Sequence, residues 1–224
     1  GYYYNGKAHS SLEKVRQIAQ EIDSLEQVVV VELIASQEPS LSMINAVSYS
    51  DLLSEYESVT AIEFAQLPFD HPLYIMYSSG TTGVPKCIVH GAGGTLVQHL
   101  KEHQLHCDVT SNDRLFYFTT CGWMMWNWLV SGLASGATLV LYDGSPFASD
   151  GQLLLDAIDA EAITIFGTSA KFISSLEKVG VKPRETHHLS SLNTILSTGS
   201  PLSHESFEFV YRDFKTDVLL ASIA

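Results

Sequence analysis

Between Tyr77 and Lys86 the chain reads YSSGTTGVPK. The hydroxyls of Ser78, Ser79, Thr81 and Thr82 can each donate a hydrogen bond. Gly80 and Gly83 permit positive φ, which lets a loop turn several backbone N–H groups inward. Lys86 adds a point charge at the end of the loop, and Pro85 stiffens the approach to it. Such residue types, packed this closely, suit the binding of an anion. The spacing departs from the Walker pattern GxxxxGK[ST]: the glycines are three apart, Lys86 follows a proline, and strand-like sequence comes next where a helix would be needed. A flap laid over phosphates therefore fits better than a helix-dipole cradle. Gly, Ser and Thr are also ordinary turn formers, so composition alone leaves a plain hairpin loop open.

A strand must deliver this loop, and LYIMYS (73–78) is a suitable apolar run, followed by a second strand over 86–91. From there the pattern alternates. Helical spacing covers 94–106, 123–135, 150–160, 169–179 and 203–212. Strand-like runs cover 114–120, 137–142, 162–168, 192–198 and 216–222. Strand–helix alternation with Val/Ile/Leu-rich strands predicts an α/β fold: a layered, mainly parallel sheet with flanking helices. Ligands in such sheets sit beyond the C-terminal ends of the strands, so the loops after 77, 120, 142, 167 and 198 are the places to expect a site. Upstream, 11–22 reads as an amphipathic helix, 27–34 as a buried strand, 37–46 as a polar connection and 51–58 as a short helix.

The totals exclude some functions. Twelve Lys+Arg against 25 Asp+Glu give a net charge of −13, which repels a nucleic acid backbone. Any bound phosphate must be held by local groups. No apolar run reaches the 18 or so residues that cross a bilayer. Three cysteines without a recognisable signal sequence predict a reducing compartment, the cytoplasm, and no disulfide framework. The apolar run DVLLASIA at the C-terminus reads as a piece of a longer protein.

The nine residues Ser78-Ser79-Gly80-Thr81-Thr82-Gly83-Val84-Pro85-Lys86 closing a strand resemble the phosphate-binding loop of the adenylate-forming superfamily: acyl-CoA synthetases, luciferases and adenylation domains. CIVHGAGGTLVQHLKEHQLHCDV, FTTCGWMMWNWLVSGLASGATLVLYDGSPF, FGTSAKF and LSTGSPLS are similar to the acetoacetyl-CoA synthetase branch, with the likeness running from about Tyr4 to Ala224. The resemblance implies that residues 1–224 are part of an AMP-binding (adenylation) domain, with no complete second domain and no small C-terminal domain. It implies an acid–thiol ligase that uses ATP, Mg2+ and coenzyme A to turn acetoacetate into acetoacetyl-CoA, AMP and pyrophosphate, the 224 residues alone being inactive. Its partners would be these small molecules, with no nucleic acid and no membrane insertion.

By position, the resemblance assigns Ser78, Ser79, Gly80, Thr81, Thr82, Gly83 and Lys86 to the nucleotide's phosphates, with Lys86 and Thr81 as the catalytic members. Thr198, Gly199, Ser200 and Pro201 match the segment that packs on the adenine. Trp123, Met124 and Met125 match the wall of the acyl pocket, with Thr168 at its border. Acetyl-CoA synthetases usually carry Gly-Glu-Pro where this chain has Gly199-Ser200-Pro201, which favours the acetoacetyl branch. No metal ligand is assigned; the acidic residue that the family associates with Mg2+ would follow Ala224.

Other readings are open. The piece could bind nucleotide without turnover, or the parent could prefer acetate or another short acid. A short acyl slot walled by Met and Trp is physically sensible, but the same residues are spaced for helix core, and Trp126 and Trp128 read as packing. His99, His103, His106 and Cys107 share a helix face that could bind zinc; a solvated or partly packed face is the simpler expectation. Cys87 and Cys121 read as buried packing thiols. Gly167-Thr168-Ser169-Ala170-Lys171 lacks the second glycine of a nucleophile elbow, which makes a serine hydrolase a poor competitor.

Overall fold

The computed structural model describes residues 1–4, 7–34, 45–78 and 83–223. The chain divides into two units, Gly1–Gln66 and Leu67–Ala224.

In the first unit β1 (Tyr2–Tyr4) and β2 (Lys7–His9) pair antiparallel. Helix α1 (Leu12–Glu21) follows, then β3 (Val28–Val30), which pairs parallel with β4 (Ala46–Ser48), and α2 (Tyr49–Ser54). Ser48 caps α2 by accepting a hydrogen bond from the Asp51 N–H at 3.0 Å. Two expectations fail here. The run 27–34 is not a buried strand: only its start is extended, and Val29, Val31 and Leu33 are exposed. The stretch read as a polar connection ends in β4, while 35–44 lies outside the described residues.

The second unit opens with an antiparallel hairpin, β5 (Pro72–Ser78) and β6 (Lys86–Gly91). Helix α3 (Ala92–Leu100) runs on into a π-turn over Lys101–His106. Then come β7 (Arg114–Tyr117), α4 (Met124–Ser131), β8 (Thr138–Val140), α5 (Gln152–Ala160), β9 (Ile165–Ser169) and α6 (Ala170–Val179). A short α7 (Pro183–Thr186), β10 (Thr194–Thr198), α8 (His204–Phe209) and β11 (Leu219–Ser222) complete it.

Five strands form one parallel sheet in the order β11-β10-β9-β7-β8. The chain lays β8 on one side of β7, then reverses and builds β9, β10 and β11 on the other. Each strand is shorter than its apolar run, because the flanking residues form the turns into the helices. The α/β expectation stands for this sheet; β5–β6 here, like β1–β2 in the first unit, is antiparallel.

Strand alternation sends two rows of side chains to two cores. One row, Phe116, Phe166, Ile195 and Leu220, lies in register across four strands and packs against α5, α6 and α8 through Leu155, Phe172, Ile173 and Phe209. Phe116 and Phe166 stack with centroids 5.2 Å apart. The opposite row, Tyr117, Gly167, Leu196 and Ala221, faces α4, where Met125, Trp128 and Leu129 are buried. Trp128 is thus a packing residue, as its helical spacing predicts, and Trp126 packs against the same core.

Candidate functional site

The reversal between β7 and β9 is where a doubly wound sheet leaves a crevice at its strand tips. In this chain the tips are Tyr117 on β7, Thr168 and Ser169 on β9, and Thr198 on β10, followed by Gly199 in the left-handed region (φ 90°). All of them line a cleft of about 850 Å³. Phe118, Thr119 and Cys121, in the loop after β7, continue the floor. Gly122, Trp123, Met124 and Met125 form a side wall, at the point where that loop turns into α4. Trp123 and Met124 are exposed, whereas Met125 is mostly buried and belongs to the core as well.

The remaining wall is the hairpin. In its register Tyr74 faces His90, Met76 faces Ile88 and Ser78 faces Lys86. Paired residues of antiparallel strands share a face, so all six side chains lie on one face. Met76, Ile88 and His90 line the cleft. Lys86 and Ser78 carry the same face to the loop end of the hairpin, and Lys86 makes no ion pair among the described residues. Gly83 takes φ 95°, as a turning loop requires. Ser79, Gly80, Thr81 and Thr82 lie outside the described residues.

Of the residues singled out in the sequence, the structure brings together Trp123, Met124, Met125, Thr168, Thr198 and Gly199 around this one cleft. Ser200 and Pro201 follow Gly199 directly and are exposed; they do not line it. Neither do Ser78, Gly83 or Lys86, which stand at the hairpin end. The loop after 142 contributes nothing to the lining. His90, Met76, Tyr117, Thr119 and Cys121 were missed. Tyr117, Thr119 and Cys121 follow from the strand-tip rule, and His90 follows from period-two alternation out of Lys86.

The cleft has one polar peculiarity. Thr168 is buried, and its Oγ1 has no hydrogen-bond partner among the described residues. Ser197, its register neighbour on β10, is in the same condition. Buried hydroxyls are ordinarily satisfied, so a polar atom in the cleft beside Thr168 would complete its hydrogen bonding.

Cys87 and Cys121 are exposed, contrary to the expectation of packing thiols. Cys87 pairs with Tyr77 on the opposite hairpin face from Lys86, and Cys121 sits on the cleft floor. Cys107 is half-buried; burial first, then the Glu102 carboxylate, raises its pKa. A native thiol titration with a disulfide reagent is therefore expected to count two fast groups and one slow one. Three fast groups, or none, would contradict this exposure.

The His-rich face beyond α3 is more deeply packed than a partly packed face. His103 is fully buried, with its ring 4.1 Å from Trp128, and His99 is 9% exposed. His106 is exposed, and among the described residues no group of three or more His, Cys, Asp or Glu side chains could hold a metal ion. Burial, reinforced by His99, holds His103 down to about 4, with the Trp128 backbone and Glu102 offsetting part of the effect. Well above pH 6.5 the imidazole is neutral in both states and contributes no pH dependence. As pH falls from 6.5 toward 4, the unfolded chain takes up a proton that the folded one refuses, so stability falls by up to about 2–3 kcal/mol. Urea midpoints at pH 7.5 and 4.5 should show this loss, and His103→Phe should reduce it. An equal loss in both proteins would place the acid sensitivity elsewhere.

Residues 5–222 match the family model described as AMP-binding enzyme. The chain is 55% identical to an acetoacetyl-coenzyme A synthetase of Rhizobium meliloti, over 100% of this chain and 34% of that protein. It is 54% identical to an acetoacetyl-CoA synthetase of Gallus gallus, over 99% of this chain and again 34% of the relative. A solved acetoacetyl-CoA synthetase structure from Streptomyces lividans superposes with a TM-score of 0.88 at 39% identity, covering 100% of this chain and 34% of that one. The chain thus spans about a third of the length of the relatives it matches.

Proposed function

This chain belongs to the AMP-binding enzyme family, and we propose that the longer protein containing it is an ATP-dependent acetoacetate–CoA ligase, with residues 1–224 forming part of its adenylation domain. A carboxylate oxygen of acetoacetate attacks the α phosphorus of ATP, the bond to the β-phosphate oxygen breaks, and pyrophosphate leaves. The thiol of coenzyme A, losing its proton, then attacks the acyl carbon of acetoacetyl-AMP and releases AMP.

The cleft is the observation that carries this reading. It joins a short apolar wall, Trp123 to Met125, to strand tips with a free hydroxyl at Thr168, and the hairpin face bearing Lys86 leads into it. In that arrangement Met124 and Trp123 size the acyl group. Gly199, with Ser200 and Pro201 after it, lies beside the adenine. Ser78, Ser79, Gly80, Thr81, Thr82, Gly83 and Lys86 hold the phosphates, with Lys86 and Thr81 neutralising the leaving pyrophosphate. Catalysis here is positioning and charge stabilisation, without a covalent enzyme intermediate. Mg2+ would arrive on the nucleotide's phosphates; the described residues form no cluster fit to hold it. No described helix is long and apolar enough to cross a membrane, and a cytoplasmic site of action fits small-molecule substrates.

The test is acetoacetate-dependent release of pyrophosphate from ATP by the full-length enzyme, followed by thioester formation on adding coenzyme A. Both are expected. Acid-independent ATP cleavage, or thioester hydrolysis without ATP, would overturn the reading.

A further inference from the structure

Behind the cleft lies a second cavity, of about 360 Å³, wedged between the hairpin, α3 and α4. Three side chains, Met76, His90 and Met124, line both spaces. They stand as a partition between the cleft and the rear chamber. Met76 is fixed in this position: the Asn127 side-chain amide donates a hydrogen bond to its Sδ at 3.2 Å. Asn127 lies one turn along α4 from Met124, so one helix face supplies both a partition residue and the group that tethers another.

The chamber's far side is polar, and its hydrogen-bonding sense can be worked out. The Trp128 indole N–H donates to Glu102 at 2.9 Å, and the Gln98 amide donates to the other oxygen of the same carboxylate. His99 Nδ1 lies 2.8 Å from the Ser131 hydroxyl, and that hydroxyl donates its single proton to the Asn127 carbonyl at 2.8 Å. Ser131 can therefore only accept from His99, so Nδ1 carries the imidazole proton and Nε2 is left as an acceptor. The nearby acidic and basic groups are Glu102, His90 and His103. The chamber thus presents an imidazole acceptor and a carboxylate. It suits a group that donates hydrogen bonds and repels an anion.

We infer that Met76, tethered by Asn127, sets the length limit of the acyl group, and that the chamber behind it takes an acyl tail ending in a hydroxyl or amide donor when that side chain is cut back, while refusing a tail that ends in a carboxylate. This rests on the acid-ligase reading above. It adds two specificity-determining positions, one on β5 and one on α4, that lie outside the Trp123–Met125 wall. Met76 touches the acyl group; Asn127 is a positioning residue acting through it.

The experiment compares full-length wild type, Met76→Ala and Asn127→Leu on acetoacetate, hexanoate, 6-hydroxyhexanoate and adipate. Met76→Ala should raise kcat/KM for 6-hydroxyhexanoate at least tenfold over wild type, hexanoate by less, and adipate not at all. Asn127→Leu should give the same order with a smaller gain, expressed mainly as a higher KM for acetoacetate. A second readout needs no turnover: with 5-fluorotryptophan incorporated, 6-hydroxyhexanoate should shift the Trp128 resonance in Met76→Ala and leave it in place in wild type. If Met76→Ala does not fold, Met76→Val, which keeps strand propensity, should show the same ranking. No gain for the longer acids with an unmoved Trp128 signal, or adipate used as well as the hydroxy acid, overturns the inference. If no acid drives ATP cleavage in wild type while the Trp128 shift still depends on Met76→Ala, the chamber assignment stands and the ligase reading falls.

Discussion

Replacing Lys86 by alanine in the full-length enzyme is expected to slow the adenylation half-reaction by about 10²–10³-fold, the loss seen when one preorganised donor to a developing anion is removed. Lys86 lies at the loop end of the hairpin, on the face that carries Ile88 and His90 into the cleft. It is exposed and without an ion-pair partner among the described residues, so its charge is uncommitted. With a net charge of −13, the protein's overall field opposes a polyphosphate, and local cations must do more. In the proposed reaction pyrophosphate leaves in the first step only. Thioester formation from preformed acyl-adenylate should therefore fall by no more than about threefold, since it lacks the charge this donor meets. Isotope exchange between pyrophosphate and ATP measures the first step, and single-turnover transfer to coenzyme A measures the second. Equal losses in both would remove Lys86 from the leaving-group role.

Gly167→Val is expected to destabilise the chain by about 3 kcal/mol or more, at the upper end of overpacking costs. Valine is a good strand former, and 167 is in mid-strand, so propensity alone points the other way. A Cβ at Gly167, however, would meet Tyr117 ring atoms at 2.1, 2.5 and 2.5 Å. That ring is buried and T-shaped against Trp128, so it cannot swing away without opening the core under α4. It could only move toward the cleft, where Tyr117 already forms part of the lining. Urea denaturation of wild type and variant measures the difference. A loss under about 1 kcal/mol would mean that the ring relocates cheaply.

Much of this was legible in the sequence for a local reason. The helices and the five sheet strands follow from apolar periodicity, and the glycine-rich loop stands out by composition. The ends of the apolar runs marked the loops after 167 and 198, and the family resemblance then named Thr168, Thr198 and Gly199 there. Pairing is non-local and was not legible. Nothing in the sequence says that β9 lies beside β7 while β8 takes the other edge. Cys87 shows the cost of lacking register: it was read as packed because cysteines usually are, yet it lies one residue from Lys86 and so points to the other face. Met76 and His90 escaped notice for the same reason. Val28 to Val30 misled differently, since a β-branched run states a preference for strand but not for burial, and β3 is short and pairs only with β4 among the described residues.

The strand order has a consequence for how the molecule assembles. Between β9 and β10, Ile165 pairs with Thr194; between β10 and β11, Thr194 pairs with Leu219; between β7 and β8, Arg114 pairs with Thr138. Each of these closures spans fewer than thirty residues. The seam between β7 and β9 joins Leu115 to Ile165, fifty residues on in sequence, because β8 is laid down on the far edge in between. Loop-closure entropy rises by roughly 0.6 kcal/mol per doubling of length, so this seam carries the largest ordering cost in the sheet. A two-strand piece on one side and a three-strand piece on the other are each closed by shorter connections. The crevice opens over that same seam, so a molecule bound across the tips of β7 and β9 would clamp together the two halves that the longest connection in the sheet separates.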